Sequence, residues 1–206
     1  MKKAFALLLT IMLLVCSALP GVADPIVINE NFSMRNGITY LCPMSTVKRV
    51  ERANGSVPSG VGDGSLNYYT TLAGCDVCLE YWEKTPSVLQ EFQYSFYSIA
   101  DYKTISGSLR NKYGQPHYTE PLFGISTKAR NTQKDTDGKL MDYAAWMIKY
   151  NDCYLLIEMN IGYASYMRMY IAAVNYCPLS YEVAEALLER ESQEEESIEN
   201  SLRNDL

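Results

Sequence analysis

Apolar and polar side chains alternate in two separate runs along this chain, and each run contains three segments. The segments are residues 66–72, 77–81, 92–96, 143–150, 153–160 and 166–173. A repeat of two residues is typical of β-strands that bury one face, because successive side chains point to opposite sides. Since the strands come in runs rather than singly between helices, the pattern favours antiparallel pairing over a β-α-β arrangement.

A short helix is predicted before the first run of strands. The residues from Pro43 to Gly55 place Val47 and Val50 on one helical face. We expect Ser45 to cap the start of this helix and Gly55 to end it. Residues 56–64 are rich in glycine, serine and proline, and we expect them to form a loop.

A second helix is predicted before the second run. Asp101 is the expected N-cap, Gly114 the expected stop, and Pro116 follows just beyond. Four large side chains form its apolar stripe, namely Tyr102, Ile105, Leu109 and Tyr113. A polar stretch that contains residues 131–139 separates this helix from the second run of strands.

Together these elements predict an α+β domain with an antiparallel sheet of about six strands. The sheet is built from two helix-plus-three-strand units, and both helices are expected on one face, because each unit needs the other to cover its apolar side. A further helix that begins after Ser180 is expected to end in an acidic tail.

The first residues have the composition of a secretory signal peptide. Lys2 and Lys3 precede an uncharged apolar run from Ala4 to Leu19, and small residues follow up to Ala23. This pattern predicts cleavage between Ala23 and Asp24 and export to the medium or the cell envelope. The run is too short to favour a permanent membrane anchor. We interpret Cys16 as part of the removed segment.

The predicted organisation is therefore a signal peptide (residues 1–23), an α+β domain (24–178) and an acidic helical tail (179–206). Removal of the leader, which carries two lysines and no acid, changes the formal charge from −6 to −8. A nucleic-acid partner needs clustered Lys and Arg, so this balance argues against one.

Five cysteines remain after cleavage, and outside the cytosol such residues are commonly paired. They are Cys42, Cys75, Cys78, Cys153 and Cys177. The odd number leaves at least one unpaired, and the spacing does not determine the connectivity. Cys75 and Cys78 lie at the start of a predicted strand rather than a helix, which favours a structural role. A thiol-dependent redox or metal-binding activity of this pair is the alternative hypothesis.

No catalytic or metal site is predicted. The single histidine, His117, lies in an expected loop without a neighbouring motif that supplies a nucleophile or a second ligand. The cysteine spacing lacks the second close pair that is typical of zinc sites. The acidic residues 135–142 lack the distal glutamate of a calcium loop. No cofactor is therefore expected.

Tyrosine is unusually frequent, with 17 residues in 206. If Asn160 lies opposite Tyr166 in the last hairpin, Glu158 lies opposite Arg168, which pairs opposite charges. One face of that hairpin then carries the predicted binding residues Tyr154, Glu158, Tyr166, Arg168 and Tyr170. Tyrosine is enriched where proteins bind, although it also simply favours strands.

Several short motifs resemble a known group of proteins. They are residues 32–38, Met44-Ser45, residues 47–51, the ending Lys112-Tyr113-Gly114-Gln115-Pro116, and Trp146 ahead of a strand. The pattern is similar to uncharacterised exported proteins and lipoproteins of Gram-positive gut-type bacteria. It is more loosely similar to the helix-plus-sheet repeats of beta-lactamase-inhibitor-like modules. The resemblance implies the fold and assigns no activity.

The sequence thus predicts an exported module that binds a protein, peptide or glycan without catalysing a reaction. The thiol-dependent activity of Cys75 and Cys78 remains the competing hypothesis. Neither hypothesis identifies a particular partner.

Overall fold

The computed structural model describes residues 25–28, 32–62, 64–84, 87–122, 127–150 and 153–190. The chain divides into two units, of which one is Pro25–Glu185 and the other joins Met1–Asp24 with Ala186–Leu206. Of the second unit, only residues 186–190 are described, and they are helical. The predicted signal peptide and residues 191–206 of the predicted tail lie outside the described residues.

Eight strands of the described chain form one mixed sheet in the order β1-β8-β9-β10-β7-β6-β5-β4. β1 is parallel to β8, and every other neighbouring pair is antiparallel. β2 and β3 form a separate hairpin. The strands are β1 (Ile26–Ile28), β2 (Ser33–Arg35), β3 (Ile38–Thr39), β4 (Val57–Gly62), β5 (Ser65–Leu72), β6 (Cys75–Lys84), β7 (Val88–Phe96), β8 (Asp142–Tyr150), β9 (Cys153–Ala164) and β10 (Met169–Leu179).

Three helices are bounded within the described residues, and residues 181–190 are also helical. The three are α1 (Met44–Ala53), α2 (Ile99–Tyr113) and α3 (Thr127–Asp135). The Ser180 hydroxyl accepts a hydrogen bond from the Val183 N–H at 3.3 Å, which confirms the predicted start of the last helix.

Both predicted helices are present, but their predicted N-caps are wrong. α1 begins after Pro43 without a side-chain cap, so Ser45 lies inside the helix. In α2 the Ser98 hydroxyl accepts hydrogen bonds from the Ala100 and Asp101 N–H groups, so the helix begins one turn earlier than predicted. The predicted end is confirmed, because Gly114 adopts a φ of 80° that other residues avoid. The stripe predicted for α2 is buried along its whole length.

The prediction of a six-stranded antiparallel sheet is wrong. Residues 57–62, predicted as a loop, form the edge strand β4, where Pro58 and a bulge between Pro58 and Gly60 are tolerated. Ile26–Ile28 adds a parallel strand at the opposite edge. The predicted polar connection also contains α3, a helix with Ala129 and Thr132 buried. These elements lack the alternation on which the prediction depended.

The two predicted helices share one face of the sheet, as expected, but a third helix lies on the opposite face. We call the side of the sheet that carries Leu79, Phe92 and Ile157 the core face, and these residues share one apolar cluster with α1 and α2. The opposite side is the second face, and α3 packs there against β9 and β10. At that contact Gly162 lies directly under Thr136, which follows α3.

A buried carboxylate connects the elements at the core face. Glu51 of α1 is fully buried and accepts hydrogen bonds from Arg35 Nε at 2.8 Å and from the Tyr81 hydroxyl at 2.7 Å. The Ser56 hydroxyl donates to its other oxygen. Arg35 Nη2 also donates to Thr70 Oγ1 at 3.4 Å. Burial and the Glu51 charge raise the pKa of Tyr81, so its phenol stays a donor. We call Glu51 with its three donors and Thr70 the Glu51 network.

Replacing Glu51 by Gln is expected to lower the free energy of unfolding by about 3 kcal/mol, because Arg35 would be left buried without its counter-charge. Urea denaturation followed by circular dichroism measures this change. Lys48→Gln, at an exposed position of the same helix, is the control and is expected to change stability by less than about 0.5 kcal/mol. Equal losses in the two variants would contradict the structural role of Glu51.

Gly162→Ala is expected to destabilise the protein by about 1–3 kcal/mol, because the new methyl group would overlap the Thr136 side chain. Gly107→Ala provides the matched control, since a methyl group there meets no atom within 4 Å. Because Gly107 lies in the middle of α2, where alanine favours the helix, Gly107→Ala is expected to stabilise the protein by about 0.5–1 kcal/mol. Urea denaturation of both variants gives the two values, and shifts of the same sign would contradict close packing on the second face.

Candidate functional site

The register of the last hairpin differs from the predicted one. Asn160 lies opposite Ala173 rather than Tyr166, and Glu158 lies opposite Asn175 rather than Arg168. Because side chains alternate between faces, the odd shift of seven residues moves every side chain of β10 to the other face relative to β9. The predicted pairing of Glu158 with Arg168 is therefore wrong.

The structure consequently separates the five predicted binding residues. Tyr154 and Glu158 lie on the second face and are buried, where Tyr154 donates a hydrogen bond to Glu185 and Glu158 accepts one from Tyr143. Tyr170 lies on the core face and its ring contacts Tyr163. Tyr166 and Arg168 lie in the exposed turn after β9. These side chains do not share one surface, and a binding role for any of them stays a prediction.

The second face is instead divided into a covered half and an open half. Over β8, β9 and the middle of β10 most of its side chains are buried, as shown by Tyr143, Asn160 and Ala173. Towards both ends of β10 they are half-buried. Over β5, β6 and β7 its side chains are exposed or half-buried, except for the buried Ser65 at the start of β5. One row of paired residues crosses both halves, through Val57, Tyr69, Cys78, Ser95, Ala173, Asn160 and Tyr143. The change in burial along this row places the boundary between β7 and β10.

The open half contains a groove of about 660 Å³, which we call the tyrosine groove. Its large side chains are Val57, Tyr69 and Tyr97, which are 61%, 59% and 53% exposed. Thr71, Asp76 and Cys78 complete the part of the lining that projects from the second face. The sequence contained a signal for this surface, because the alternation that points Tyr68 inward points Tyr69 outward.

The tyrosine groove has a negative electrostatic character. Asp76 is the one charged side chain among the described residues that line it, and its Oδ1 accepts a hydrogen bond from the Thr71 hydroxyl at 3.2 Å. Glu80 lies four residues beyond Asp76, on the same face of β6. The groove therefore offers aromatic rings, backbone edges and a carboxylate.

Cys75 and Cys78 do not face each other. Three residues apart in an extended strand, they point to opposite faces, so that Cys75 is buried in the core and Cys78 lines the tyrosine groove. Burial raises the pKa of both thiols, and Asp101 adds to the effect at Cys75. A raised pKa reduces the thiolate fraction, so this arrangement disfavours the nucleophilic chemistry of redox pairs. None of the five cysteines in the described residues forms a disulfide.

His117 has a structural contact at the edge of the sheet. Its Nδ1 accepts a hydrogen bond from the Met147 N–H at 3.1 Å, so this nitrogen carries no proton. The neighbouring Tyr118 exchanges backbone hydrogen bonds with Ala145 of β8. The imidazole thus accepts a hydrogen bond from the next β8 backbone N–H beyond the pair of hydrogen bonds between Tyr118 and Ala145, which gives the histidine a structural role.

Two other kinds of site are absent from the part of the chain that is described. No group of three or more His, Cys, Asp or Glu side chains there is placed to hold a metal ion. None of the helices described has the length and apolar character needed to cross a membrane.

Comparison with known proteins finds no matching family model, no similar curated protein and no similar solved structure. The function is therefore inferred from the geometry alone.

The raised thiol pKa values lead to a measurable expectation. Cys75 and Cys78 are expected to react with iodoacetamide at pH 7.5 several times more slowly in the folded protein than in denaturant, because less thiolate is present and access is reduced. Peptide mapping by mass spectrometry after timed alkylation measures each rate. Faster reaction of either thiol in the folded protein would support the alternative thiol-dependent function.

Proposed function

We propose that this protein is an exported, non-catalytic binding module that holds an extended, positively charged peptide segment of a partner protein in the tyrosine groove. The observation that carries this proposal is the uneven burial of the second face. Helix α3 packs against β9 and β10, whereas Val57, Tyr69 and Tyr97 stay exposed together over the open half. Neighbouring exposed apolar side chains of this size are typical of interaction surfaces.

The shape of the groove favours a peptide over a small molecule. Its walls are strand side chains, and it is open along the sheet, so it would bury only one side of a small ligand. An extended chain can place alternate side chains against Tyr69 and Tyr97 while its other side stays in water. Tyrosine rings provide large contact areas with few rotatable bonds, which keeps the entropic cost of binding low.

The charge of the groove favours a cationic segment. Asp76 lies in the lining, and the described lining residues include neither Lys nor Arg. The full chain carries a formal charge of −6, which repels acidic partners at longer range. A Lys or Arg side chain can pair with Asp76 and contact the face of a neighbouring tyrosine ring.

The chemistry of the lining supports binding rather than catalysis. Covalent catalysis needs a nucleophile beside a base, and the candidate groups here are the Cys78 thiol and the Asp76 carboxylate. Burial raises the pKa of Cys78, and the Asp76 carboxylate, its neighbour along the same strand face, accepts its hydrogen bond from the Thr71 hydroxyl.

The test uses two fluorescein-labelled decapeptides, one of alternating Lys and Thr and the other of alternating Glu and Thr. Fluorescence anisotropy is expected to show binding of the Lys peptide only, with affinity that falls as salt is added. Tyr69→Ala is expected to weaken binding by at least about tenfold, as at other aromatic interface positions. Asp76→Asn is expected to reduce the salt dependence.

Tyr166→Ala is the matched control, because Tyr166 is 70% exposed but lies in the turn after β9, away from the groove. It is expected to leave the affinity unchanged. Equal binding of both peptides, an absence of binding, or an equal loss in the Tyr69 and Tyr166 variants would refute the proposed surface.

A further inference from the structure

A second pocket of about 460 Å³ opens on the core-face side, between β2, the end of α2 and the sheet. Its lining includes Met34, Arg35, Leu72, Tyr94, Lys112 and Tyr176. We propose that this pocket binds a small aromatic monoanion, a carboxylate or sulfonate, whose charge pairs with Lys112. We call it the Lys112 pocket. It shares no lining residue with the tyrosine groove.

The two cations of the Lys112 pocket have different surroundings. The guanidinium of Arg35 is already paired with the Glu51 carboxylate at 2.8 Å. Lys112 Nζ lies 4.8 Å from the Tyr113 ring centre and 5.7 Å from that of Phe32. Within the described part of the chain, no carboxylate oxygen lies within salt-bridge distance of Lys112. The pocket therefore carries one positive charge that the described residues do not balance, in a protein that is acidic overall.

The floor of the pocket is aromatic. The rings of Phe92 and Tyr176 lie 5.4 Å apart, and that of Tyr94 lies 5.7 Å from Phe92 and 6.3 Å from Tyr176. Met34 and Leu72 add apolar side chains to the walls. The three rings are only 1–6% exposed, so a planar apolar body would contact their small accessible parts and the half-buried Leu72. Ser33 and Asn36 add polar groups to the lining.

One hydroxyl group of the floor is suited to donate a hydrogen bond to a ligand. The Tyr94 hydroxyl donates to that of Tyr176, and burial raises the pKa of Tyr176, so its phenol keeps its own proton. Burial also lowers the pKa of Lys112, and an anion beside its Nζ would favour the charged form again. Lys112 is an exposed residue of the lining, and its single charge matches a monoanion better than a phosphate dianion.

A matched pair of fluorescent probes tests the charge requirement. 8-Anilinonaphthalene-1-sulfonate and N-phenyl-1-naphthylamine share the aromatic body, and only the first carries a sulfonate. Fluorescence titration of the folded full chain is expected to give at least about tenfold tighter binding of the sulfonate, as a charge-assisted contact provides. Lys112→Gln is expected to remove that preference, and Lys112→Arg to retain it.

Two control variants separate this site from others. Lys103→Gln removes a charge at an exposed position of the same helix and is expected to leave both affinities unchanged. Tyr69→Ala is expected to leave sulfonate binding unchanged, which distinguishes this site from the tyrosine groove. Equal affinity of the two probes for the unaltered protein, or a preference that persists in Lys112→Gln with native circular dichroism, would overturn the proposal.

Discussion

The buried carboxylate of Glu51 is the interaction on which the core-face side of the fold depends. Taking a carboxylate out of water is costly unless its oxygens are paired, and here Arg35, Tyr81 and Ser56 all donate to it. Each donor belongs to a different part of the chain, so the requirement to satisfy one charge fixes α1 against β2 and β6. Arg35, held in this way, forms one wall of the Lys112 pocket.

The two proposed binding surfaces have opposite chemistry and lie on opposite faces of one sheet. The tyrosine groove combines exposed aromatic rings with Asp76, whereas the Lys112 pocket combines a buried aromatic floor with an unbalanced cation. Alternation along the strands produces this division, because Tyr68 and Tyr69 are neighbours in sequence but face opposite sides. The abundance of tyrosine thus serves the core and the surface at the same time.

The sequence predicted those parts of the fold that depend on local spacing. β5 to β9 were recognised from alternation, and α2 was recognised from its stripe and Gly114. The features that the sequence did not predict depend on contacts with residues far away in the chain. β4 and α3 have weak patterns of their own, and the register of β9 with β10 depends on a turn in which Arg168 adopts a φ of 54°, which a non-glycine residue rarely does.

The register of β9 with β10 explains why the predicted binding residues do not lie together. An error of an odd number of residues reverses faces, so a platform predicted from Tyr154, Tyr166 and Tyr170 could not form. The outward direction of Tyr69 followed from the strand pattern. The exposure of Tyr69 did not follow from the strand pattern, because it depends on which strands of the second face α3 packs against.

The pairing of β7 with β10 has a consequence for how the chain folds. We call this pairing the seam. On each side of it the strands pair with their sequence neighbours, except that β1 pairs with β8. Both halves therefore contain many local contacts. The seam alone joins Phe96 and its neighbours to the last strand, across α2, α3 and two further strands. Closing so long a loop costs chain entropy before any contact repays it. The folding rate should therefore be governed by the meeting of two largely preformed meanders, whose aromatic side chains at the seam provide the first long-range contacts.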